Sequence, residues 1–331
     1  MKSKTKYLLN ENQISEIFQK SKLGKIDGFY AMGAGEFNSV YCVNVGGSEY
    51  VLKIAPHINK KTLTYEKDMM RNEIIWYGRI GESTSIKIPK IFYYDFSKSI
   101  INADYFIMEK LNGEQMDKFS FDCSQKENPT SKLAKMAAEI HKIKNDKFGY
   151  EQNGLFDDWY QAIKTMTQNL IYDAKAVGHR SKRGNKLLGY IERYKEILKK
   201  ADCSMVNFDL WSPNVICNTD ELGFASYAWI DPERTFWGDK IADFVALEFG
   251  KPIEGKLQSI EAYNGVADEP IAITTEIKIR YYVASAYLAL IQEVEKYYRY
   301  SIFNYGWIRN VFSANYLFSK AFKFLDNAKI N

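Results

Sequence analysis

Apolar residues recur at helical spacing through residues 10–24, where Ile14, Ile17, Phe18 and Leu23 share a face. The period then shortens. Residues 29–32 and 39–45 are apolar runs on either side of Gly33-Ala34-Gly35-Glu36-Phe37-Asn38, and Gly46-Gly47 turns the chain into 49–54. Three antiparallel strands are expected. Residues 63–79 return to a helical pattern, with Met69, Met70, Ile74, Ile75 and Tyr77 apolar, and strands at 91–95 and 105–111 follow. Gly113 marks the expected boundary between a small lobe, residues 1–112, and a larger one, 113–331. In the larger lobe, 132–143 reads as a helix and 157–200 as mostly helical. Pro213 and short strands near 215 and 229 interrupt that pattern, and 274–328 form a Tyr- and Phe-rich helical tail. The expected class is α+β, with a small antiparallel sheet followed by a larger, mainly helical part.

Composition changes this picture little. The chain has 331 residues, 46% of them hydrophobic, and a mean hydropathy of -0.37, as in soluble globular proteins. No apolar run approaches the ~20 residues of a membrane span, and the basic start lacks an apolar signal core. A cytoplasmic protein without membrane partners is therefore expected. A net charge of +4 from 45 basic and 41 acidic residues is too mild for a nucleic-acid binder. Its densest basic segment, 175–183 with Lys186, reads as a solvated helix end or loop. Cysteines at 42, 123, 203 and 217 form no C-x-x-C pair, and three histidines complete a set unsuited to zinc. Reduced thiols are expected, in a monomer or weak dimer.

The chemistry lies in Asn207-Phe208-Asp209-Leu210-Trp211-Ser212-Pro213-Asn214 and in Trp229-Ile230-Asp231-Pro232-Glu233. Phosphoryl transfer needs a carboxylate to orient and deprotonate the acceptor hydroxyl, and oxygen ligands to hold magnesium against a triphosphate. Asp209 fits the first role. Asn214 and Asp231 fit the second, because magnesium prefers hard oxygen donors.

Upstream, Gly33, Gly35, Asn38, Ser39 and Val40 lie between two expected strands. Glycines there let backbone N–H groups approach phosphate oxygens. A hairpin turn has the same look, and the downstream motifs favour the phosphate reading. Lys53, in an apolar strand, is placed to pair nucleotide phosphates. Its partner is expected on the next helix, with Glu73 chosen over Glu66. The strand end at Met108, Glu109 and Leu111 can offer backbone groups of Glu109 and Leu111 to an adenine edge, with Met108 shaping the pocket. Asp239 and Asp243 read as a helix cap and a brace for the catalytic loop, and His141 as a hydrogen-bonded structural residue.

These motifs resemble the aminoglycoside phosphotransferase family, the kinase-like enzymes that include choline, homoserine and methylthioribose kinases. The resemblance spans about residues 25–250 and rests on Gly33–Tyr41, Lys53, Met108–Gly113, Leu133–His141, Asp209–Asn214, Asp231, Gly238-Asp239 and Asp243. It implies a bilobed protein-kinase-like fold that uses magnesium and ATP or GTP to phosphorylate a small-molecule hydroxyl. On that resemblance Asp209 is the base, Asn214 and Asp231 hold the metal, Lys53 takes the phosphates and Glu73 pairs with Lys53. One departure stands out: the family's His-Gly-Asp is Asn207-Phe208-Asp209 here. Protein kinase activity is not expected, since Asp231 is followed by Pro232-Glu233 and no Ala-Pro-Glu occurs.

The leading expectation is a kinase for an aminoglycoside-type antibiotic. Its cationic acceptor would favour acidic residues drawn from Asp157, Asp158, Glu233, Glu248, Glu254, Glu261 and Asp268. The alternatives are a metabolic kinase for choline, homoserine or a sugar, and a nucleotide-binding module with little or no catalysis. For choline, Trp159, Trp237, Tyr263, Tyr281 and Tyr282 are candidates for an aromatic box.

Overall fold

A computed structural model of the chain describes residues 3–33, 37–120, 128–219 and 225–329. The N-terminal part is a five-stranded antiparallel sheet ordered β1-β2-β3-β5-β4. Its strands are β1 (Gly28–Met32), β2 (Ser39–Val45), β3 (Ser48–Ile54), β4 (Ile91–Asp95) and β5 (Tyr105–Glu109). Side chains alternate across the sheet. Tyr41, Val43, Leu52, Ile54, Tyr105 and Ile107 face α1 (Glu11–Ser21) and pack with its Ile14, Ile17 and Phe18. Val51, Phe106 and Met108 face α2 (Met69–Ser83) and pack with its Met70 and Tyr77. The parity that sends Val51 to α2 sends Lys53 there too. α1 opens on a capping box, in which Asn10 and Gln13 satisfy each other's backbone N–H groups.

The helix expected from residue 63 does not run unbroken. A short 3-10 turn covers Thr64–Glu66, Asp68 takes a left-handed φ of 53°, and α2 begins only at Met69. The break has a distant cause. The Glu66 carboxylate turns inward, accepting the Leu63 N–H at 2.8 Å and pairing with Arg299 at 2.7 Å. That ties the turn to the C-terminal part of the chain.

After β5 the chain passes Gly113 at φ 125°, where a Cβ would stand 2.1 Å from the Cys217 carbonyl oxygen. Only glycine fits there. The rest is mainly helical. In chain order the elements are β6 (Glu114–Gln115), α3 (Pro129–Ile140), α4 (Trp159–Ala176), α5 (Lys182–Arg193), α6 (Lys195–Leu198) and β7 (Cys203–Val206). They continue with β8 (Val215–Thr219), β9 (Ala225–Trp229), β10 (Phe236–Asp239), α7 (Leu257–Asn264), α8 (Thr275–Arg299) and α9 (Tyr305–Asn327). β7 pairs with β10, and β6, β8 and β9 form a small sheet, so the residues between β7 and β8 are held from both ends. α8 is buried along most of its length, as its apolar composition requires, and α9 packs back along it. Among the described residues no helix is long and apolar enough to cross a membrane.

Candidate active site

Lys53 is 4% exposed and stands where the sheet meets the C-terminal part. Its ammonium contacts both Glu73 oxygens at 2.8 Å, Asp231 at 2.5 Å and Glu233 at 3.1 Å. Glu66 is committed to Arg299, so Glu73 alone of the two expected rivals reaches this lysine. One ammonium cannot neutralise three carboxylates, and burial penalises each charge further. Burial first, then the neighbouring carboxylates, raise the Glu73 and Glu233 carboxyls against the pull of Lys53. The carboxylate oxygens of Glu73, Asp231 and Glu233 lie within 4.8 Å of one another, a donor set suited to a hard divalent cation. The excess negative charge is what a divalent cation would neutralise. Asn214 enters the same region through its backbone, its carbonyl accepting the Ile230 N–H at 2.9 Å.

The residues from 207 to 214 are braced from below. Asp243 accepts the N–H groups of Asn207 at 3.0 Å and Phe208 at 2.5 Å, and it bonds His141 Nε2 at 2.9 Å. Tyr263 hydroxyl bonds the other ring nitrogen of His141. Asp239 caps the following turn through the Ile241 N–H and is clamped by both arms of Arg280 at 2.6 Å. Asn207, in the family's histidine position, accepts the Asp209 N–H at 2.9 Å and is fully buried. Phe208 explains the other departure. Its φ is 61°, the left-handed region that suits glycine, yet its ring is 2% exposed against Phe236 and Tyr287. A residue other than glycine holds this left-handed turn here, and its ring is part of the core.

Asp209 projects from this turn with 31% of its side chain exposed. Asn214 Nδ2 donates to its carbonyl at 3.0 Å and its carboxylate at 3.3 Å. Arg234 Nε lies 3.8 Å from the same carboxylate. A ladder of alternating charge runs on from there: Arg234 to Glu295 at 3.2 Å, Glu295 to Arg299 at 3.2 Å, and Arg299 to Glu66 at 2.7 Å. Asn310 donates to the free Glu295 oxygen at 2.9 Å. Burial pushes the Asp209 carboxyl up to about 7, Asp231 and Glu233 push the same way, and Arg234 opposes them. Its partial exposure moderates the first effect. Trp211, 48% exposed, stands two positions further on.

The remaining expected residues are distributed as follows. Gly35 lies outside the described residues. Gly33 is exposed, and nothing lies within 4 Å of a Cβ built on it. Asn38 is 4% exposed and donates to Glu233 at 2.6 Å, while its side-chain oxygen Oδ1 is buried without a hydrogen-bond partner among the described residues. Ser39 Oγ accepts the Tyr7 N–H. Val40, opposite Lys53 in the register, packs with Met108 on the α2 face. Glu109 N–H donates to the Lys90 carbonyl, and Leu111 follows β5, half-buried.

The acidic candidates do not converge. Asp158 caps α4, Asp157 pairs with Lys147, Glu248 with Lys251 and Glu254 with Lys278, and Glu233 belongs to the Lys53 cluster. The five aromatic candidates are all buried, Trp159 stacked on Phe236 and Tyr263 bonded to His141, so they build core. Arg234, Glu295 and Arg299 were not singled out from the sequence. The i,i+4 spacing of Glu295 and Arg299 near the end of an apolar helix was the available signal.

An antiparallel sheet carrying a buried Lys–Glu pair, above a helical part that presents an Asp on a braced loop, is the frame of the protein-kinase-like phosphotransferases. Residues 10–280 match the family model for fructosamine kinase, and the chain belongs to that family. It is a small-molecule kinase. Solved structures agree on the fold. A candidate fructosamine-3-kinase from Haemophilus somnus 129PT is 17% identical with a TM-score of 0.63, over 92% of this chain and 96% of the other. An aminoglycoside phosphotransferase in ternary complex with streptomycin and ATP is 17% identical with a TM-score of 0.58, over 96% and 99%. A microcompartment-associated aminopropanol kinase is 12% identical with a TM-score of 0.59, over 96% and 99%. A search of curated proteins gives no match.

Proposed function

We propose that the protein transfers the γ-phosphate of Mg-ATP or Mg-GTP to a hydroxyl of an amine-bearing sugar derivative. The observation that carries this reading is the partly exposed Asp209 carboxylate, close enough to Asp231 and Glu233 of the Lys53 cluster for their charges to act on it, with the 48% exposed Trp211 two positions further along the chain. On this reading Asp209 accepts the acceptor's hydroxyl proton, and Asn214 and Arg234 fix its carboxylate. Lys53, oriented by Glu73, takes the nucleotide phosphates. Asn38, Ser39 and Val40 cover them with Gly33 and Gly35. Met108, with the backbone of Glu109 and Leu111, receives the base. Asp231 and Asn214 hold magnesium, with Glu233 beside them. A bound magnesium supplies charge neutralisation on the phosphates. Residues 1–112 then form the nucleotide lobe and 113–331 the acceptor lobe.

The family, and the ring and ammonium of a fructosamine, favour a ketosamine acceptor, because a Trp face attracts cationic groups. An aminoglycoside antibiotic is the second reading, supported by the streptomycin held by a structural neighbour. Phe208 takes a left-handed φ of 61°, a conformation open to glycine, and this compatibility with the usual glycine supports catalysis over mere nucleotide binding.

Transfer of labelled γ-phosphate to a panel of ketosamines, aminoglycosides, choline and aminopropanol tests the reading. Labelling of a ketosamine, lost in Asp209→Asn, is expected. Labelling of an aminoglycoside alone would move the assignment to the second reading. Labelling of none, with magnesium and either nucleotide present, would sink both.

A further inference from the structure

The segment ahead of α1 runs alongside residues 37–41, the arm that leads into β2, in a constant offset. Thr5 Oγ1 donates to the Phe37 carbonyl at 3.0 Å, and Lys6 Nζ donates to the Asn38 carbonyl. Ser39 Oγ accepts the Tyr7 N–H at 2.9 Å, and the Tyr41 hydroxyl accepts the Leu9 N–H at 2.8 Å. The other side of the segment reaches α8, where the Arg299 carbonyl accepts the Lys4 N–H at 2.8 Å. Thr5 and Leu9 are 2% and 8% exposed while Lys4 and Leu8 face solvent, so the segment is anchored through some of its residues and open at others. The arm is fixed from the far side as well. The Phe37 ring is 4% exposed and lies 5.4 Å from the Arg299 guanidinium, and Asn38 donates to Glu233.

We propose that residues 4–9 are a clasp that positions the 37–41 arm over the nucleotide's phosphates. The inference rests on the proposed function and adds a positioning element to the same site. Its physics is preorganisation. An arm already held at Phe37, Asn38, Ser39 and Tyr41 loses little freedom when a nucleotide arrives, so more of the contact energy appears as affinity. The clasp touches no substrate. It acts through the arm, and through Arg299 it refers the arm to the helix that also carries Glu295.

The test uses the full chain and two independent variants. Thr5→Val with Lys6→Ala removes two side-chain donors to the arm. Tyr41→Phe removes the acceptor for Leu9 from a side chain on the α1 face of the sheet, away from Lys53. Hydrogen exchange of the 37–45 amides and the Kd for mant-ATP with magnesium are read together. Faster exchange of the arm and a Kd raised about fivefold to tenfold are expected in both variants, each tenfold step being 1.4 kcal/mol. The conservative pair Thr5→Ser with Lys6→Arg should restore both readouts. Unchanged exchange in both variants overturns the clasp. Faster exchange with an unchanged or tighter Kd overturns its positioning role and leaves the proposed function standing. A wild-type protein that binds neither mant-ATP nor mant-GTP overturns the proposed function and this inference with it.

Discussion

Phe208 invites a reversion whose outcome can be worked out beforehand. Phe208→Gly would restore the residue usual before the catalytic Asp in related kinases. It relieves a left-handed backbone at φ 61°, which costs a non-glycine residue about 1–2 kcal/mol. It also deletes a ring that is 2% exposed and packed between Phe236 and Tyr287, and losing a buried Phe costs about 3–5 kcal/mol. Glycine adds unfolded-state entropy worth about 0.5 kcal/mol more. Packing wins, and Phe208→Gly should be about 3 kcal/mol less stable than wild type. Phe208→Ala loses the ring and keeps the strain, so it should fall about 1 kcal/mol lower still. Urea unfolding followed by Trp fluorescence reads both. With an m-value of about 3 kcal/mol/M, Phe208→Gly should lower the midpoint by about 1 M. The reasoning fails if Phe208→Gly matches wild type, or if Phe208→Ala is the more stable of the two variants.

Asp209→Asn should cut phosphoryl transfer about 10²- to 10⁴-fold and leave mant-ATP affinity within about twofold; equal losses in both would remove its role as base. The raised carboxyls of Glu73 and Glu233 retain protons in the folded state that the unfolded chain has released above its ordinary carboxyl range. Without divalent cation, stability from these groups therefore falls as pH rises from about 4.5 through their folded values. Magnesium must displace those protons, so it should raise the Tm more at pH 8 than at pH 6; equal increments at both would refute the cluster as its site. Asp243→Ala strips the acceptor from two buried N–H groups, each costing about 1–3 kcal/mol. Asp243→Asn, which keeps one acceptor oxygen, should lose about half as much in the same urea assay.

Local periods carry much of the architecture. Alternation along β3 and the 3.6-residue repeat of α2 are enough to set Lys53 facing Glu73, because both residues sit in regular elements with one apolar partner face. The break at Asp68 was not legible, since its cause is Arg299, far along the chain, drawing Glu66 inward. The ladder through Arg234 and Glu295 was hidden for a related reason. Charges near the end of a Tyr-rich helix look like a solvated face until α9 and Asn310 cover them. The start of the chain, read only as basic, owes its conformation to the neighbouring arm and not to any repeat of its own.

The buried ladder from Glu66 through Arg299 and Glu295 to Arg234 also bears on how such a chain can change over generations. Neutralising one rung strands its neighbour's charge away from water, a loss of about 3–5 kcal/mol that approaches the whole margin of an ordinary fold. Drift by single steps at these positions is closed off. A lineage can leave this arrangement only through compensated pairs, or by exchanging the ladder for apolar packing in concert. Residues 66 and 299, 233 positions apart in sequence, thereby share one fate.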